Sequence, residues 1–536
     1  MSDSSLIVRA RGRYESRRAD FEHRFRTDLG TRNRAFAWAT AGPVAVALAA
    51  LVIRPGGWSA SVVVATVVAA LVVRMAMLRP DTPPHAHGLP GVPEPRRCPP
   101  SEPPDRSLFV LGVRWLAALS AVVVAVGAPT AMVWATVTAL VVAAVPVLAD
   151  KAVLWTTRLR LRRALAAYEP RFVLGYGGYG GGPIHVGMWQ PYLRASGDRG
   201  VIVGLRDHYC AELRAGIQPQ FPWISTGSDV LGDMRVMTVP TITTFFYVHN
   251  APGHLKLMGI RSVRHVWLGH GDSDKAGSHH ERHRRYDVLV ASGSAAVDRY
   301  AQHGVDIPAE RFVLLGRPQS GEVLPATVPI TEVERPRVLY TPTWTGNGKM
   351  TDFSSIRIAD QVLRHLIDAG ADVIFRVHPV FLRDEAWAAR VARLDAILAA
   401  DDADPTTPGR HVWGQKAAVD WSVADCMNAA DALVSDVSSV VSDWLASDKP
   451  YLVISMVHPA SEVVDAVPVA AGGHVVDQNL TGIDEALDEM LHRDPLAGRR
   501  HEVKVHTLGK YEGHESAEAF AAWVHETVHV PVSRAL

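Results

Sequence analysis

The sequence predicts an α/β protein in which two doubly wound domains with parallel sheets follow four N-terminal transmembrane helices. Two observations support this. Four long apolar stretches lie near the N-terminus, and from about Arg171 short β-rich apolar runs alternate with helical segments. That alternation is typical of parallel sheets covered by helices, and it occurs twice along the chain. With 536 residues the chain is also too long for a single hydrophobic core.

The four apolar stretches are each long enough to cross the hydrocarbon of a bilayer. They comprise residues 36–53, 58–77, 108–127 and 131–148. Buried core helices are the alternative, but Ala, Val and Leu runs of this length with almost no charge are uncommon in soluble domains. Arginines cluster before the first stretch and after the last, so both ends are expected on the cytoplasmic side.

The predicted organisation has four parts. A basic cytoplasmic segment (1–35) precedes a membrane domain (36–150) with a proline-rich linker at 79–107, and two Rossmann-like domains follow at 151–330 and 331–536. The 55 basic and 55 acidic side chains balance, so no global field favours nucleic acid as a partner. The three cysteines lack the paired spacing of a zinc site or a disulfide framework, which fits a reducing compartment.

The alternating pattern predicts individual strands and helices. The predicted strands are 172–175, 201–205, 266–268, 288–291, 312–315, 338–340, 373–377, 432–434 and 451–454, and the predicted helices include 186–194, 295–303, 356–369, 386–399 and 484–492. Ligands of such sheets bind at the carboxyl ends of the strands, so the chemistry is expected there.

A glycine-rich stretch follows the first of these strands. Residues 175–180 fit the G-x-G-x-x-G pattern of a dinucleotide site. The spacing to Asp207 does not match that site, so a flexible loop that faces the cleft and contacts an acceptor is favoured over NAD binding.

The segment 270–275 follows another apolar strand and carries His270, Asp272 and Lys275. A histidine suits a general base because its ordinary pKa lies near neutrality, and Asp272 can orient the ring. Lys275 can neutralise a phosphate, whereas a solvated polar turn is the structural alternative.

Three more histidines follow closely, at positions 279, 280 and 283. They lack a cysteine or matched carboxylate partner, and arginines are interleaved with them, so we predict no metal site and no cofactor.

Two strand ends in the second half carry groups that suit phosphates. Arg376 and His378 follow an apolar run, and Pro379 should end that strand and expose the pair, although a core histidine is the alternative. Ser438 and Ser439 begin a helical stretch, where hydroxyls and free backbone amides bind anions. An ordinary helix cap is the alternative there.

Five ordered segments resemble the CDP-glycerol:poly(glycerophosphate) glycerophosphotransferases of teichoic acid and capsule synthesis. They are His270-Gly271 with Lys275, Gly316-Arg317-Pro318, Tyr340-Thr341-Pro342-Thr343-Trp344, Arg376-x-His378-Pro379, and Ser435-Asp436-x-Ser438-Ser439 with Asp443. The resemblance covers roughly residue 171 to the C-terminus. It implies a GT-B-like fold with an acceptor domain at 151–330 and a nucleotide-donor domain at 331–536.

The resemblance also implies roles for individual residues. The catalytic set would be His270, as the base that activates the acceptor hydroxyl, with His378. Asp272 joins this set through the argument from the residues above and not through the resemblance. The donor phosphates would be held by a larger set: Arg376, His378, Ser438, Ser439, Lys275 and Thr343. The nucleotide or alditol would contact Gly316, Pro318 and Asp443, with local capping as the alternative for Asp443.

The sequence departs from the family pattern at three places. Asp272-Ser273 replaces a Thr-Pro pair, Gln319 replaces an arginine, and Thr345 replaces a second arginine. Two positive charges are therefore missing, which leaves the choice of donor or acceptor open.

The expected partners follow from the resemblance. They are CDP-glycerol or a related CDP-alditol, a lipid-linked or polymeric glycerophosphate acceptor, and the lipid bilayer, with the catalytic domains on the cytoplasmic side of a bacterial cell membrane. Two alternatives remain open: a GT-B nucleotide-sugar glycosyltransferase that holds UDP or GDP at the same anion site, and a catalytically degenerate membrane scaffold.

Overall fold

The computed structural model describes residues 82–95, 130–177, 182–205, 218–269, 279–346, 352–405 and 410–532. The first three predicted membrane stretches lie outside these residues, and so do His270, Asp272 and Lys275. The fourth stretch, 131–148, falls within a helix that runs from Thr130 to Tyr168. Among the helices of the described ranges, none combines the length and the apolar character needed to span a bilayer. The membrane helices therefore stay a prediction.

Two parallel sheets form the framework. The strands are β1 His85–His87, β2 Phe172–Tyr176, β3 Gly200–Leu205, β4 Trp223–Thr226, β5 Thr244–Tyr247, β6 Arg264–Trp267, β7 Val288–Ala291, β8 Phe312–Leu314, β9 Arg337–Thr341, β10 Asp372–Phe375, β11 Ala432–Asp436, β12 Tyr451–Ser455 and β13 His474–Asp477. The first sheet has the order β1-β4-β3-β2-β5-β6-β7-β8, and the second has the order β10-β9-β11-β12-β13. In the first sheet, the seven strands β4, β3, β2, β5, β6, β7 and β8 each run parallel to the next in that order, and all neighbours in the second sheet are parallel.

Helices connect the strands, as parallel pairing requires. They are α1 Thr130–Tyr168, α2 Gly182–Ala195, α3 Val230–Met237, α4 His254–Leu257, α5 Ser294–Gln302, α6 Ala359–Asp368, α7 Glu385–Asp402, α8 Val423–Ala429, α9 Ser439–Trp444, α10 Val463–Ala466, α11 Ile483–His492, α12 Ala497–Leu508 and α13 Glu515–His529. The predicted α/β fold with parallel sheets is confirmed.

Contacts divide the chain into two compact units. Among the described residues, one unit takes 82–85, 130–161 and 227–229, and the other takes the rest. The second unit holds both sheets, apart from His85 in β1. The two α/β lobes described below, called the first and second lobe after their sheets, are both parts of this second unit.

The second sheet is buried on both faces. Along β9, Val338 and Tyr340 pack in the core on one face, whereas Leu339 between them packs in the core on the other. This alternation follows from the two-residue period of a strand, and a strand covered on both sides is apolar throughout. The covered faces leave the carboxyl edge of the sheet as the place where polar side chains can gather.

The last helix packs with the first sheet, although it lies within the predicted second domain. Phe520, Val524 and Val528 of α13, spaced four residues apart, are fully buried in the same core as Phe172 and Leu174. Residues four apart share one face of a helix, so α13 presents an apolar stripe to that core. The two lobes are therefore joined by α13 as well as by the chain between β8 and β9.

Candidate functional site

Three adjacent strands of the second sheet end next to the predicted donor residues. β9 lies between β10 and β11, with Tyr340 in register with Phe375 and with Val434. Because all three strands run parallel, their carboxyl ends meet at one edge. Thr343 and Ser438 come two residues after the ends of β9 and β11, and His378 comes three residues after the end of β10. The structure thus brings these predicted residues to the same edge of the sheet.

Asp436 organises the loops at this edge. Its side chain is 0% exposed, and it accepts hydrogen bonds from Thr343 N (2.9 Å to Oδ1 and 3.1 Å to Oδ2), from Ser355 N (2.8 Å) and from Ser355 Oγ (3.0 Å). A buried carboxylate is stable only when such donors surround it. Asp436 therefore fixes the backbone after β9, and it belongs to the predicted Ser-Asp-x-Ser-Ser segment without having been given a role.

Ser438 stands at the N-cap position of α9, but its hydroxyl does not serve as the cap. Among the described residues, the Ser438 side chain accepts no capping hydrogen bond, and its Oγ lies 3.4 Å from Ser435 Oγ. Ser438 is half-buried and Ser439 is exposed. The start of α9, which is separated from β11 by two residues, therefore lies at the carboxyl edge of the sheet with two serine hydroxyls, an arrangement that suits a phosphate group.

His378 is oriented through its backbone. The Val380 N–H donates to His378 Nδ1 at 3.3 Å, and the Trp344 and His378 rings lie 6.5 Å apart between centroids. An Nδ1 atom that accepts a hydrogen bond carries no proton, so the ring proton of neutral His378 is on Nε2. A neutral histidine of this tautomer is a hydrogen-bond donor through Nε2, which fits contact with a phosphate oxygen.

Arg376 is anchored inward. Its Nη1 donates to the carbonyl oxygens of Ala417 and Trp421, the second at 2.8 Å, and its backbone N donates to Tyr340 O at 3.0 Å. Arg376 is half-buried. The guanidinium therefore positions the π-helical turn Lys416–Asp420. These bonds also fix its positive charge at the carboxyl edge of the second sheet.

A pocket opens at the carboxyl end of the first sheet. Its walls include Trp189, Trp267, Gly269, Tyr300, Arg317 and Gln319, and the predicted Gly316 and Pro318 also line it. Trp189 Nε1 donates to Gly269 O at 2.8 Å, and Gly269 adopts a positive φ of 69°. The peptide immediately before His270 is thus held in the wall of this pocket.

Gly316 is required by packing. It has a positive φ of 72°, and a Cβ at this position would lie 2.7 Å from Ser516 Oγ. Ser516 lies at the start of α13 and donates to Leu315 O at 2.7 Å. The structure therefore explains Gly316 by the close approach of α13.

An ion pair joins the two lobes beside the pocket. Arg317, which is 8% exposed, binds both carboxylate oxygens of Asp443 in α9: Nε donates to Oδ1, and Nη2 donates to Oδ2 at 3.3 Å. The predicted roles of Asp443 were nucleotide or alditol binding, or local capping, and the structure adds this pairing. Burial raises the pKa of nearby Tyr192, and the charge of Glu322 adds to that effect.

The histidines that follow segment 270–275 have separate surroundings. His279 stacks on His303 with ring centroids 3.7 Å apart, whereas the His280 Nδ1 accepts from Arg282 N at 3.0 Å. His283 is fully buried, and its Nε2 lies 2.8 Å from Asn250 Oδ1. Burial and the charges of His303, Arg299 and His280 lower the pKa of His279 to about 4. Its ring is therefore neutral at neutral pH.

Two residues important in this geometry were not predicted from the sequence. Trp189 lies 80 residues before its partner Gly269, and Ser355 lies 81 residues before its partner Asp436. No local pattern signals such contacts. Arg317 and Asp436 stand within the recognised segments, which was the available signal for them.

Comparisons with known proteins identify the segment that holds the site. Residues 235–458 match the family model described as CDP-Glycerol:Poly(glycerophosphate) glycerophosphotransferase. All five segments named from the sequence fall within this range. The resemblance predicted from those segments is confirmed. No curated protein matches the chain.

Several solved structures are similar to the chain at low identity. A structure of the wall teichoic acid polymerase TagF with CDPG is 12% identical, covers 70% of this chain and 95% of that chain, and has a TM-score of 0.42. A UDP-N-acetylglucosamine 2-epimerase from Listeria monocytogenes is 9% identical, with coverages of 65% and 94% and a TM-score of 0.40. A glycosyltransferase from Rickettsia africae is 12% identical, with coverages of 68% and 100% and a TM-score of 0.39.

Proposed function

We propose that this chain, a CDP-glycerol glycerophosphotransferase-like enzyme whose family segment spans residues 235–458, transfers glycerol phosphate or a related alditol phosphate from CDP-glycerol. The acceptor in this proposal is a cell-envelope polymer or a lipid-linked glycerophosphate, and CMP is released.

The Arg317–Asp443 pair carries the proposal. Arg317 lines the pocket whose wall ends in Gly269, the residue before His270, and Asp443 lies in the helix that begins at Ser439. The pair therefore links the pocket beside Gly269, the residue before the proposed base, with the helix that begins at the proposed phosphate site. A transfer reaction needs those two places to be close, because the nucleophile and the phosphorus must meet in line.

In the proposed step, an acceptor hydroxyl attacks the β-phosphorus of CDP-glycerol. A new bond forms between that phosphorus and the acceptor oxygen, the bond to the bridging oxygen breaks, and CMP leaves with the electron pair. His270 takes the proton of the hydroxyl. Positioning and electrostatic neutralisation supply most of the acceleration in such transfers.

The second lobe supplies the donor site in this proposal. The Ser438 and Ser439 hydroxyls, the first amides of α9 and the Nε2–H of His378 are hydrogen-bond donors, and diphosphate oxygens accept such bonds. Asp436 holds the Thr343 loop in place, and Arg376 adds positive charge without leaving its carbonyl partners. Lys275 neutralises charge on the leaving group.

We also propose that the N-terminal apolar stretches anchor the chain in a bacterial cell membrane, with the catalytic lobes on the cytoplasmic side. The clustered arginines on both sides of those stretches support this orientation. A membrane anchor would hold the lobes near a lipid-linked acceptor.

The test is CMP release by the full-length chain from a panel of CDP-glycerol, CDP-ribitol and UDP-sugars. We expect release from a CDP-alditol, loss of at least about a hundredfold in rate for His270→Ala, which removes a general base, and an unchanged rate for His365→Ala. His365 is a suitable control because it pairs with Asp484 on the surface, 2.6 Å away.

Other outcomes reject the proposal in different ways. Normal turnover by His270→Ala rejects the assignment of the base. Transfer of a hexose from a UDP-sugar, without phosphate, favours a glycosyltransferase that uses the same anion site. Failure of every cytidine nucleotide to bind favours a degenerate scaffold.

A further inference from the structure

Two histidines and an aspartate from distant parts of the chain meet on the surface of the first lobe. His525 Nδ1 lies 2.9 Å from Asp198 Oδ2, and His529 Nε2 lies 2.8 Å from Asp198 Oδ1. The Asp198 side chain is 8% exposed, whereas those of His525 and His529 are 59% and 40% exposed. Among the described residues, this is the one group of three whose nitrogen and oxygen atoms are close enough to share a metal ion.

The helix side of this group is rigidly placed. His525 and His529 are four residues apart in α13, so both rings project from one face, and their centroids lie 4.6 Å apart. Val524 and Val528, next to them in sequence, are fully buried in the core of the first lobe. Thr243 Oγ1 also donates to Val528 O at 2.7 Å. The last turn of α13 is therefore held from inside.

The carboxylate side is also held. Asp198 lies in the short loop between α2 and β3, where Asp198 N donates to Ser196 Oγ at 3.3 Å and Gly197 N donates to Arg194 O at 3.0 Å. The next residue, Arg199, extends to Tyr168 O, to which its Nη1 donates at 3.0 Å. A site whose ligands stand on fixed backbone loses less freedom when it binds an ion.

We propose that Asp198, His525 and His529 bind one Zn²⁺ or a similar borderline transition-metal ion, which links α13 to the loop before β3. Two imidazoles four residues apart on a helix, together with a carboxylate, form a ligand set that suits zinc. Hard cations such as Mg²⁺ and Ca²⁺ prefer oxygen ligands and fit this set poorly. Three protein ligands leave a fourth position for water.

The present distances need only a small change. With metal–ligand bonds of about 2.1 Å, tetrahedral ligands stand roughly 3.4 Å apart, compared with the present contacts of 2.8 and 2.9 Å. The exposed rings can rotate outward by that amount. Each imidazole then directs a lone pair at the ion and carries its ring proton on the other nitrogen.

Electrostatics favours a cation at this place. The group lies at the C-terminal turn of α13, a helix of 15 residues, where the helix dipole attracts positive charge. Asp198 supplies a full negative charge. The ion would bridge residues 327 positions apart in sequence, so its proposed role is to hold the last helix on the first lobe. This inference is independent of the proposed reaction.

The test uses the full-length chain, freed of metal with EDTA and titrated with ZnCl₂ by calorimetry. We expect the wild type to bind one more equivalent of Zn²⁺ than the His525→Gln/His529→Gln variant, or to bind Zn²⁺ at least about tenfold more tightly. Both substitutions lie on exposed side chains. The matched control is His365→Gln, which removes a histidine that pairs with a single carboxylate. It should bind like the wild type.

Two further readouts check the assignment. Titration with Co²⁺ should give visible absorption bands in the wild type that are absent in the double variant, and Zn²⁺ should raise the thermal midpoint of the wild type alone. Equal stoichiometry and affinity in the wild type and the double variant would overturn the proposal. Equal loss in His365→Gln would do the same, because the ion would then be bound by surface histidines in general.

Discussion

Removal of the Asp436 carboxylate should destabilise the loops at the carboxyl edge of the second sheet more than any other part of the protein. In Asp436→Ala, the backbone N–H groups of Thr343 and Ser355 lose the acceptor that they share, and both residues are buried. A buried donor left without a partner costs about 1–3 kcal/mol, so two cost about 2–6 kcal/mol. Asp436→Asn keeps one oxygen and should cost about 1–3 kcal/mol.

The assay is urea unfolding of each variant, together with amide hydrogen exchange of residues 341–346 and 352–356. The control is Asp384→Asn, because Asp384 caps α7 on the surface with one bond to Trp387 N at 3.1 Å, and asparagine caps about equally well. We expect the order Ala, Asn, control, from most to least destabilised, with faster exchange at the edge. If Asp436→Ala is no less stable than the control, the role assigned to this carboxylate is wrong.

Three further predictions concern single contacts. Ser438→Ala should weaken CDP-glycerol binding by about tenfold or more, since a hydrogen bond to a charged group is lost. The urea midpoint should stay nearly unchanged, because no capping bond is lost. A destabilised variant with normal affinity would show that Ser438 is only a cap. Asp443→Asn should lower stability by about 1–3 kcal/mol, because buried donors of Arg317 lose a carboxylate acceptor, and it should also slow CMP release. Unchanged values in both assays would argue against the link between the lobes. The His279 pKa of about 4 lies below its ordinary value, so His279 binds a proton at higher pH in the unfolded chain than in the folded one, and stability should fall as pH drops from about 6.5 to 4. His279→Gln should flatten this dependence of stability on pH in urea titrations. An unchanged slope would contradict the assignment.

The apolar strands of the core were predictable because their signal is local. Val288–Ala291 was predicted with the bounds that the structure has, and Phe172, Val201 and Tyr451 fell within predicted strands. Each of these runs is continuous and apolar, as a strand buried on both faces must be. The same reasoning located His378 and Ser438 at strand ends.

The strands that were missed have weaker local signals. Trp223–Thr226 and Thr244–Tyr247 are four residues long and contain hydroxyl side chains, and His474–Asp477 is a half-buried edge strand. β1 lies within the segment predicted as a proline-rich linker. Pairing with neighbours, which no short window reveals, decides the conformation of such segments.

The contacts between distant residues could not be predicted at all. The sequence gives no sign that Asp443 pairs with Arg317, 126 positions away, or that α13 returns to the first sheet and brings His525 to Asp198. Both contacts depend on how the lobes and the last helix pack. Sequence reasoning therefore located the strand ends that carry the site but not the ion pair that connects them.

The most direct test of the central claim is a structure of the full-length chain with CDP-glycerol bound. We predict that the diphosphate lies within hydrogen-bond distance of the Ser438 hydroxyl and of His378 Nε2, with the β-phosphorus facing the imidazole of His270. A diphosphate bound elsewhere, or His270 turned away from the phosphorus, would contradict the account.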